Sequence, residues 1–366
     1  MRTKFRLTPP VALIILLCSN SAVRAADDPD ALIKAGHFKR ARSIVEPRCK
    51  ANGGDAELNY LMSEIEDAFG NIEGARSLAE KAVALNAHEA RYHRQLGELY
   101  GETAETASLF AKGGWAKKFK AEVETAAALD PKDTNSRFDL LEYDLQAPRL
   151  MGGGKDKAAA MAGEIALIDP VQGDLAQARL AQDRKDAAGQ ESWYLKAAAA
   201  RPADYEALTP PAAFYNSATP SKADLAEKFA REAVKLDPSR AAGYSLLASS
   251  LASQGRWKDL GDCLALAEKN DPDDLAPYYQ AGRAILAKYA ADADNNPDLS
   301  RAESYFRKYL SAEPEGGEPT PAHAHWRLGL VLEKEGRQSE ARSEIETALR
   351  LKPDLTEARK DLKRME

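Results

Sequence analysis

The chain is poor in cysteine, histidine and aromatic residues, has no long hydrophobic run, and carries no large excess of charge. Each shortage excludes a class of protein. Three cysteines in 366 residues cannot staple a disulfide scaffold. Cys49 and Cys263 lie far apart along the sequence, so in an elongated array they read as small buried hydrophobes rather than as a pair. The five histidines are scattered: His88 and His93, like His323 and His325, have spacings that place them on different faces of a helix. No metal and no cofactor is expected. A net charge of −6 gives no general attraction for nucleic acid or for anionic lipid. At 30% charged and 44% hydrophobic residues, the composition is that of an ordered, water-facing protein.

The N-terminus has the organisation of an export signal. Arg2, Lys4 and Arg6 form a basic start, Val11 to Cys18 a short apolar run, and Val23-Arg24-Ala25 offers small residues for cleavage after Ala25. The run is far short of the roughly 20 residues that span a bilayer. A lipoprotein reading would lipidate Cys18, but Leu17 stands where a small residue is required. With residues 1–25 as a signal peptide, the expectation is a periplasmic or secreted protein without an integral membrane segment after cleavage.

What the chain has in abundance is repetition. Ala127-Ala128-Leu129-Asp130-Pro131, Ala233-Val234-Lys235-Leu236-Asp237-Pro238 and Ala348-Leu349-Arg350-Leu351-Lys352-Pro353 are versions of one phrase. From Pro131 to Pro353 the punctuating prolines are 39, 32, 36, 34, 42 and 39 residues apart. Proline cannot continue a helix, so each one marks a unit boundary. Within the units, Leu328, Gly329, Leu332, Gly336, Ala341, Ile345 and Ala348 share a pattern with Tyr244, Leu247, Ala248, Leu251, Gly255, Leu264 and Ala267. Met62, Ser63, Gly70, Ala75 and Ala82 give a third copy. Small residues allow two antiparallel helices to approach closely, and Gly70, Gly255 and Gly336 free the backbone for the turn between them. Trp257 matches Phe38 and Ile72 after such glycines and reads as core.

This pattern resembles the tetratricopeptide repeat (TPR), in the form found in exported bacterial proteins. The resemblance implies an all-α, right-handed superhelical solenoid of about eight helix pairs. Units are expected near 55–88, 89–132, 133–171, 172–203, 204–239, 240–273, 274–315 and 320–354. Residues 26–54 form a partial first unit and 355–366 a C-terminal capping helix. Through Leu96-Gly97 and Tyr100-Gly101, Ala116-Lys117-Lys118 up to Leu129-Asp130-Pro131, and Ala147-Pro148 with Gly152-Gly153-Gly154 and Lys157-Ala158, residues 90–172 are also distantly similar to the TPR-like domain of the regulator of microtubule dynamics family. Some members of that family are associated with lipid handling.

The array is interrupted in several places. About ten extra residues, Gly101 to Gly114, are expected between the helices of their unit. Gly152-Gly153-Gly154 is expected to be a flexible connector, and Pro210-Pro211 should delay or kink a first helix. A phosphate loop needs a glycine five residues before Gly154, a Ser/Thr after Lys155 and a preceding strand; Arg149 and Asp156 stand in the two positions, and the context is helical. Neither a nucleophile elbow nor a Cys/His pairing is present, so no catalysis is expected.

In such an array the first helix of each unit lines a concave groove. The residues expected to face it are Tyr60, Glu64 and Asp67; Arg91, Arg94 and Glu98; Asp139 and Tyr143; Ser245 and Ser249; Tyr279 and Arg283; and His323, Trp326 and Leu330. For Tyr60, Arg94, Tyr279 and Trp326, packing between units is an equal alternative to binding. TPR domains that hold a terminal carboxylate use Lys and Asn at these places, and this chain does not. The expected function is a non-catalytic scaffold that docks a protein or peptide in the groove; the alternative is a carrier of a lipid or small apolar ligand.

Overall fold

The computed structural model describes residues 28–218, 222–291, 298–317 and 319–365. The leader and its cleavage site lie outside the described residues.

Helix starts are set by short polar side chains. The carboxylates of Asp28, Asp55, Asp133, Asp169, Asp186 and Asp204 each accept a backbone N–H in the first turn of a helix, as do Asn71 and Thr320. Asp169 closes one helix and caps the next, with Pro170 at the first helical position. Among the described residues this chemistry yields nineteen α-helices. They are α1 (Pro29–Ala35), α2 (Phe38–Ala51), α3 (Ala56–Ala68), α4 (Ile72–Leu85), α5 (Ala90–Thr106), α6 (Leu109–Leu129), α7 (Thr134–Gln146), α8 (Lys155–Ile168), α9 (Pro170–Asp183) and α10 (Ala187–Ala200). There follow α11 (Tyr205–Ser217), α12 (Ala223–Leu236), α13 (Ala241–Gln254), α14 (Trp257–Asn270), α15 (Ala276–Ala291), α16 (Leu299–Tyr309), α17 (Pro321–Lys334), α18 (Gln338–Leu351) and α19 (Thr356–Arg364). No strand occurs among the described residues.

Consecutive helices pack as antiparallel pairs. Gly36, Gly70, Gly255 and Gly336 take φ of 88, 76, 72 and 80° in the turns within pairs, a region open to glycine at little cost. Lys185 takes the same place between α9 and α10 at φ 57°. Two glycines within helices serve close approach: a Cβ on Gly97 would lie 2.6 Å from Val123 Cγ2, and one on Gly329 2.6 Å from Ile345 Cγ1. The buried Ser63 hydroxyl donates to Ala75 O at 2.9 Å and ties α3 to α4. Leu99, Leu141, Ile165, Leu251, Ile285, Leu328 and Ile345 are fully buried between helices.

First helices of neighbouring pairs touch at α1–α3, α3–α5, α7–α9, α11–α13, α13–α15 and α15–α17, whereas second helices make no comparable contact with one another. The stack therefore curves toward the first helices, which form its inner face. It also closes on itself. The first pair packs against the turn between α14 and α15 and against the loop after α16. Lys39 N–H donates to Glu315 Oε1 at 2.8 Å, and Lys39 Nζ to Asp273 O at 3.1 Å. Arg40 Nη2 donates to Asp271 Oδ1 at 3.2 Å, while His37 Nδ1 lies 3.2 Å from Asp271 Oδ2. His37 and Asp271 are both buried. Gly317 N–H donates to Ala68 O. A Cβ on Gly317 would meet that oxygen at 3.0 Å.

The interruptions differ from their sequence reading. The extra residues from Gly101 to Gly114 form no loop. They lengthen α5 to 17 and α6 to 21 residues, with Gly113 and Gly114 inside α6 and Phe110 almost fully exposed. Ala, Glu and Lys around them favour helix strongly enough to carry two glycines. Pro210 and Pro211 do not delay α11, which starts at Tyr205 and contains both. Asp204 caps its first turn, and the cost is two missing N–H groups in the helix interior. Gly152-Gly153-Gly154 is a built turn rather than a flexible connector. Gly152 takes φ 90°, a Cβ on Gly153 would lie 2.1 Å from Ala147 O, and Gly154 N–H donates to Asp144 O at 2.8 Å. Cys49 and Cys263 are free; Cys263 is buried and Cys49 only half-buried.

Candidate functional site

The inner face divides into two arcs of different chemistry. The first runs over α3, α5, α7 and α9, and its charged side chains are bound to each other. Tyr60 and Tyr92 pack ring to ring at 5.1 Å, and Arg91 bridges Glu57 at 3.1 Å across α3 and α5. Gln95 Nε2 donates to Asp67 Oδ2 at 3.0 Å. Arg94 donates to Asp139 Oδ2 at 2.8 Å, joining α5 to α7, and also to Glu98 one turn along its own helix. Arg179 Nη2 donates to Glu142 at 2.8 Å, joining α9 to α7. These contacts stitch successive first helices together through partly exposed side chains.

Carboxyls outnumber cations in this arc, and their ionisation reflects it. Burial pushes Glu98 up to about 8 against the pull of Arg94, with the charges of Asp139, Asp67 and Glu64 adding to the rise. Burial raises Glu64 to about 7, and burial with the neighbouring Asp67 raises Glu102 to about 7. Asp67 and Asp139 are raised by the same desolvation.

The second arc, over α11, α13, α15 and α17, is lined mainly by small side chains. A groove of about 620 Å³ runs across α11, α13 and α15. Ala213, Ala242, Ser245, Ser249, Ala276 and Gln280 belong to its walls, and Pro319 lies at its edge. Asp274 and Arg283 are its ionisable groups. Asp274 lies at the N-terminal rim of α15 and accepts Ala276 N–H at 2.7 Å. Arg283 Nε donates to Gln280 Oε1 at 2.8 Å, and Arg327 Nε donates to Tyr279 Oη at 3.3 Å. Among the described residues, Arg283 and Arg327 form no ion pair with a carboxylate. Burial and the neighbouring Arg327 lower the pKa of Arg283. Asn216 Nδ2 donates to Leu246 O at 2.9 Å, while its buried Oδ1 has no donor.

The residues singled out in the sequence thus fall into separate roles. Glu64, Asp67, Arg94, Glu98 and Asp139 come together in the first arc, with Arg91 exposed at its edge. Tyr60 is buried and donates to Glu64 at 2.6 Å. Tyr143 is buried and does not line the groove wall. Its hydroxyl donates to Met151 O at 2.6 Å and holds the Arg149–Met151 turn, while its ring stacks on Phe119 at 5.8 Å. Tyr279 is buried among Phe306 and Tyr309, at centroid distances of 5.6 and 5.5 Å. Trp326 turns away to the cap: Nε1 donates to Asp361 Oδ2 at 2.9 Å, and its ring packs against the cluster of Ile345, Ala348, Leu355 and Ala358. Ser245 and Ser249 line the groove with Arg283. His323 bonds Thr320 at the start of α17, and Leu330 packs against the core.

Sequence reasoning missed Arg327, Gln280, Glu102 and the Glu142–Arg179 pair. A positional signal existed. Gln95, Gln280 and Arg327 each stand two residues before the inward-packed glycine of their helix, Gly97, Gly282 or Gly329. From this position Gln95 and Arg327 both reach back to the preceding first helix.

Among the described residues no group of three or more His, Cys, Asp or Glu could hold a metal ion. His93 bonds Glu122 and Ala87 O, and His325 bonds Glu344 at 2.6 Å. No described helix is long and apolar enough to cross a membrane.

Nineteen helices, no described strand and an inner face of stacked first helices define an all-helical repeat solenoid. Residues 322–355, which span α17 and α18, match the tetratricopeptide repeat, and the whole array has the fold of a TPR solenoid. Yeast Tom70 has a similar structure, with a TM-score of 0.50 at 13% identity, over 94% of this chain and 82% of that one. A thermophilic TPR protein from Thermus thermophilus is similar over 59% of this chain and 98% of its own, with a TM-score of 0.43 at 17% identity. A TPR protein from Parabacteroides merdae covers 74% of this chain and 98% of its own, with a TM-score of 0.45 at 14% identity. At these identities the likeness concerns the fold alone. No curated protein matches the sequence.

Proposed function

We propose that this protein is an exported, non-catalytic scaffold that holds a segment of a partner polypeptide on its inner face. The observation that carries the reading is the groove across α11, α13 and α15. Alanine and serine at successive inner positions leave about 620 Å³ open, a size typical of sites for short ligands. Hydroxyls, amides and one guanidinium supply polar partners along it. The mixture suits a polypeptide, whose backbone presents a donor and an acceptor at each residue, better than an acyl chain, which asks for a continuous apolar lining. The basic, apolar, small-residue order of residues 2–25 supports export to the periplasm or medium.

A photo-crosslinking side chain placed at Ser245 or Gln280 tests the reading against the same group at Lys235, on the outer helix α12. Polypeptide adducts confined to the inner positions are expected. Lipid-sized adducts, or none, would overturn it. Intact mass of the protein from its own host tests export separately: the expected N-terminus is Ala26, and an intact Met1 would contradict it.

A further inference from the structure

Arginines on the inner face are not alike. Arg94 and Arg179 each have a carboxylate on the neighbouring first helix, at 2.8 Å in both cases. Arg283 and Arg327 stand on neighbouring first helices, α15 and α17; their only side-chain hydrogen bonds run to Gln280 and Tyr279, and the Arg327 guanidinium lies over the Trp326 ring, 4.7 Å from its centroid. Two like charges placed together, without a counter-charge and at some desolvation cost, disfavour the empty state. Arg283 also lines the groove. The groove's one carboxylate, Asp274, lies at the rim with a backbone N–H already bound.

We propose that Arg283 and Arg327 together clasp an acidic side chain of an extended polypeptide segment lying in the groove across α11, α13 and α15. The inference rests on the scaffold reading above and narrows it to partners with Asp or Glu at the position that reaches α15 and α17. Charge complementarity is the argument. A carboxylate between two guanidinium groups gains charge-assisted hydrogen bonds and removes their mutual repulsion. Small side chains on the groove walls let the backbone of the segment approach the first helices closely. Ser245 and Ser249 offer it hydroxyls. The first arc cannot take the same partner, because its carboxyls already exceed its cations.

The test uses the purified full chain and arrays of N-acetylated, C-amidated 12-residue peptides. They are randomised except for a central residue fixed as Glu, Gln or Lys, so chain termini contribute no charge. Wild type is expected to retain Glu-centred peptides at least about tenfold over Gln-centred ones. Arg283→Gln should lose most of that preference, and Arg283→Glu with Arg327→Glu should shift it toward Lys-centred peptides. Circular dichroism shows whether each variant is folded, and the single Gln substitution keeps the test valid if the double variant is not. Retention with no preference for Glu would leave the groove reading standing and defeat the arginine clasp. A Glu preference unchanged by Arg283→Gln would also defeat it. Failure to retain any pool would defeat both.

Discussion

The two arcs of the inner face are built from the same repeat, yet they spend their charges differently. In the arc over α3 to α9, arginine and carboxylate meet across each junction: Arg91 with Glu57, Arg94 with Asp139, Arg179 with Glu142. In the arc over α11 to α17, Arg240 meets Glu206 at 2.7 Å at the outer edge of α11 and α13, but the groove itself is walled by small residues, and α15 is held to α16 by the buried rings of Tyr279, Phe306 and Tyr309. Arg283 and Arg327 there have no counter-charge. The lesson is that a charged inner face is not by itself a binding face. A charge already paired inside the array is structural, and one left without a partner is available.

The largest expected effect comes from the contact that closes the array. Asp271 is buried against His37 and Arg40. Asp271→Ala should cost roughly 3 kcal/mol in urea denaturation and raise the radius of gyration measured by X-ray scattering. An unchanged radius would mean that the arcs hold their curvature without the closure.

Next comes Arg94, whose loss leaves Glu98 and Asp139 enclosed without their cation. Arg94→Met should cost about 2 kcal/mol. A cost near zero would erase the distinction between the arcs.

The third effect is on pH dependence. Raised carboxyl pKa values mean that the folded chain holds protons more tightly than the unfolded chain. Their contribution is therefore complete below about 4.5 and is lost as pH rises through about 7 to 8. Thermal midpoints measured from pH 5 to 9 should fall less steeply for Glu98→Gln than for wild type, while Arg283→Gln should leave the slope as it is. Parallel slopes for wild type and Glu98→Gln would contradict the assignment.

The smallest effect belongs to the second arc. Arg327→Met should change stability by less than about 0.5 kcal/mol, in either direction. A loss as large as that of Arg94→Met would show that Arg327, too, is structural.

The helical repeat was legible because it rests on local chemistry: glycine at the turns, small residues where helices meet, and aspartate and proline at the boundaries. Gly36, Gly70, Gly255 and Gly336 all take the left-handed conformation that their positions implied. The inner face was legible only in part. Periodicity places a residue on a face of its helix but does not say whether a neighbour claims it. Trp326 lies in the same row as Arg94, yet the cap offers it Asp361. Tyr143 shares a helix face with Asp139, yet the Arg149–Met151 turn captures its hydroxyl. Closure of the array was illegible, since Lys39 and Glu315 meet across 276 residues and no repeat pattern encodes that meeting. Gly113-Gly114 is a loop signal by itself, and only the helix-favouring residues on both sides keep it inside α6.

The most direct test of the central contrast is a pair of double-mutant cycles read by urea denaturation. One combines Arg94→Met with Asp139→Asn, the other Arg283→Met with Arg327→Met. An attractive coupling of about 1 kcal/mol or more is predicted for the first and a repulsive coupling for the second. Couplings of the same sign, or none in either cycle, would contradict the division of the inner face into a paired arc and an open one.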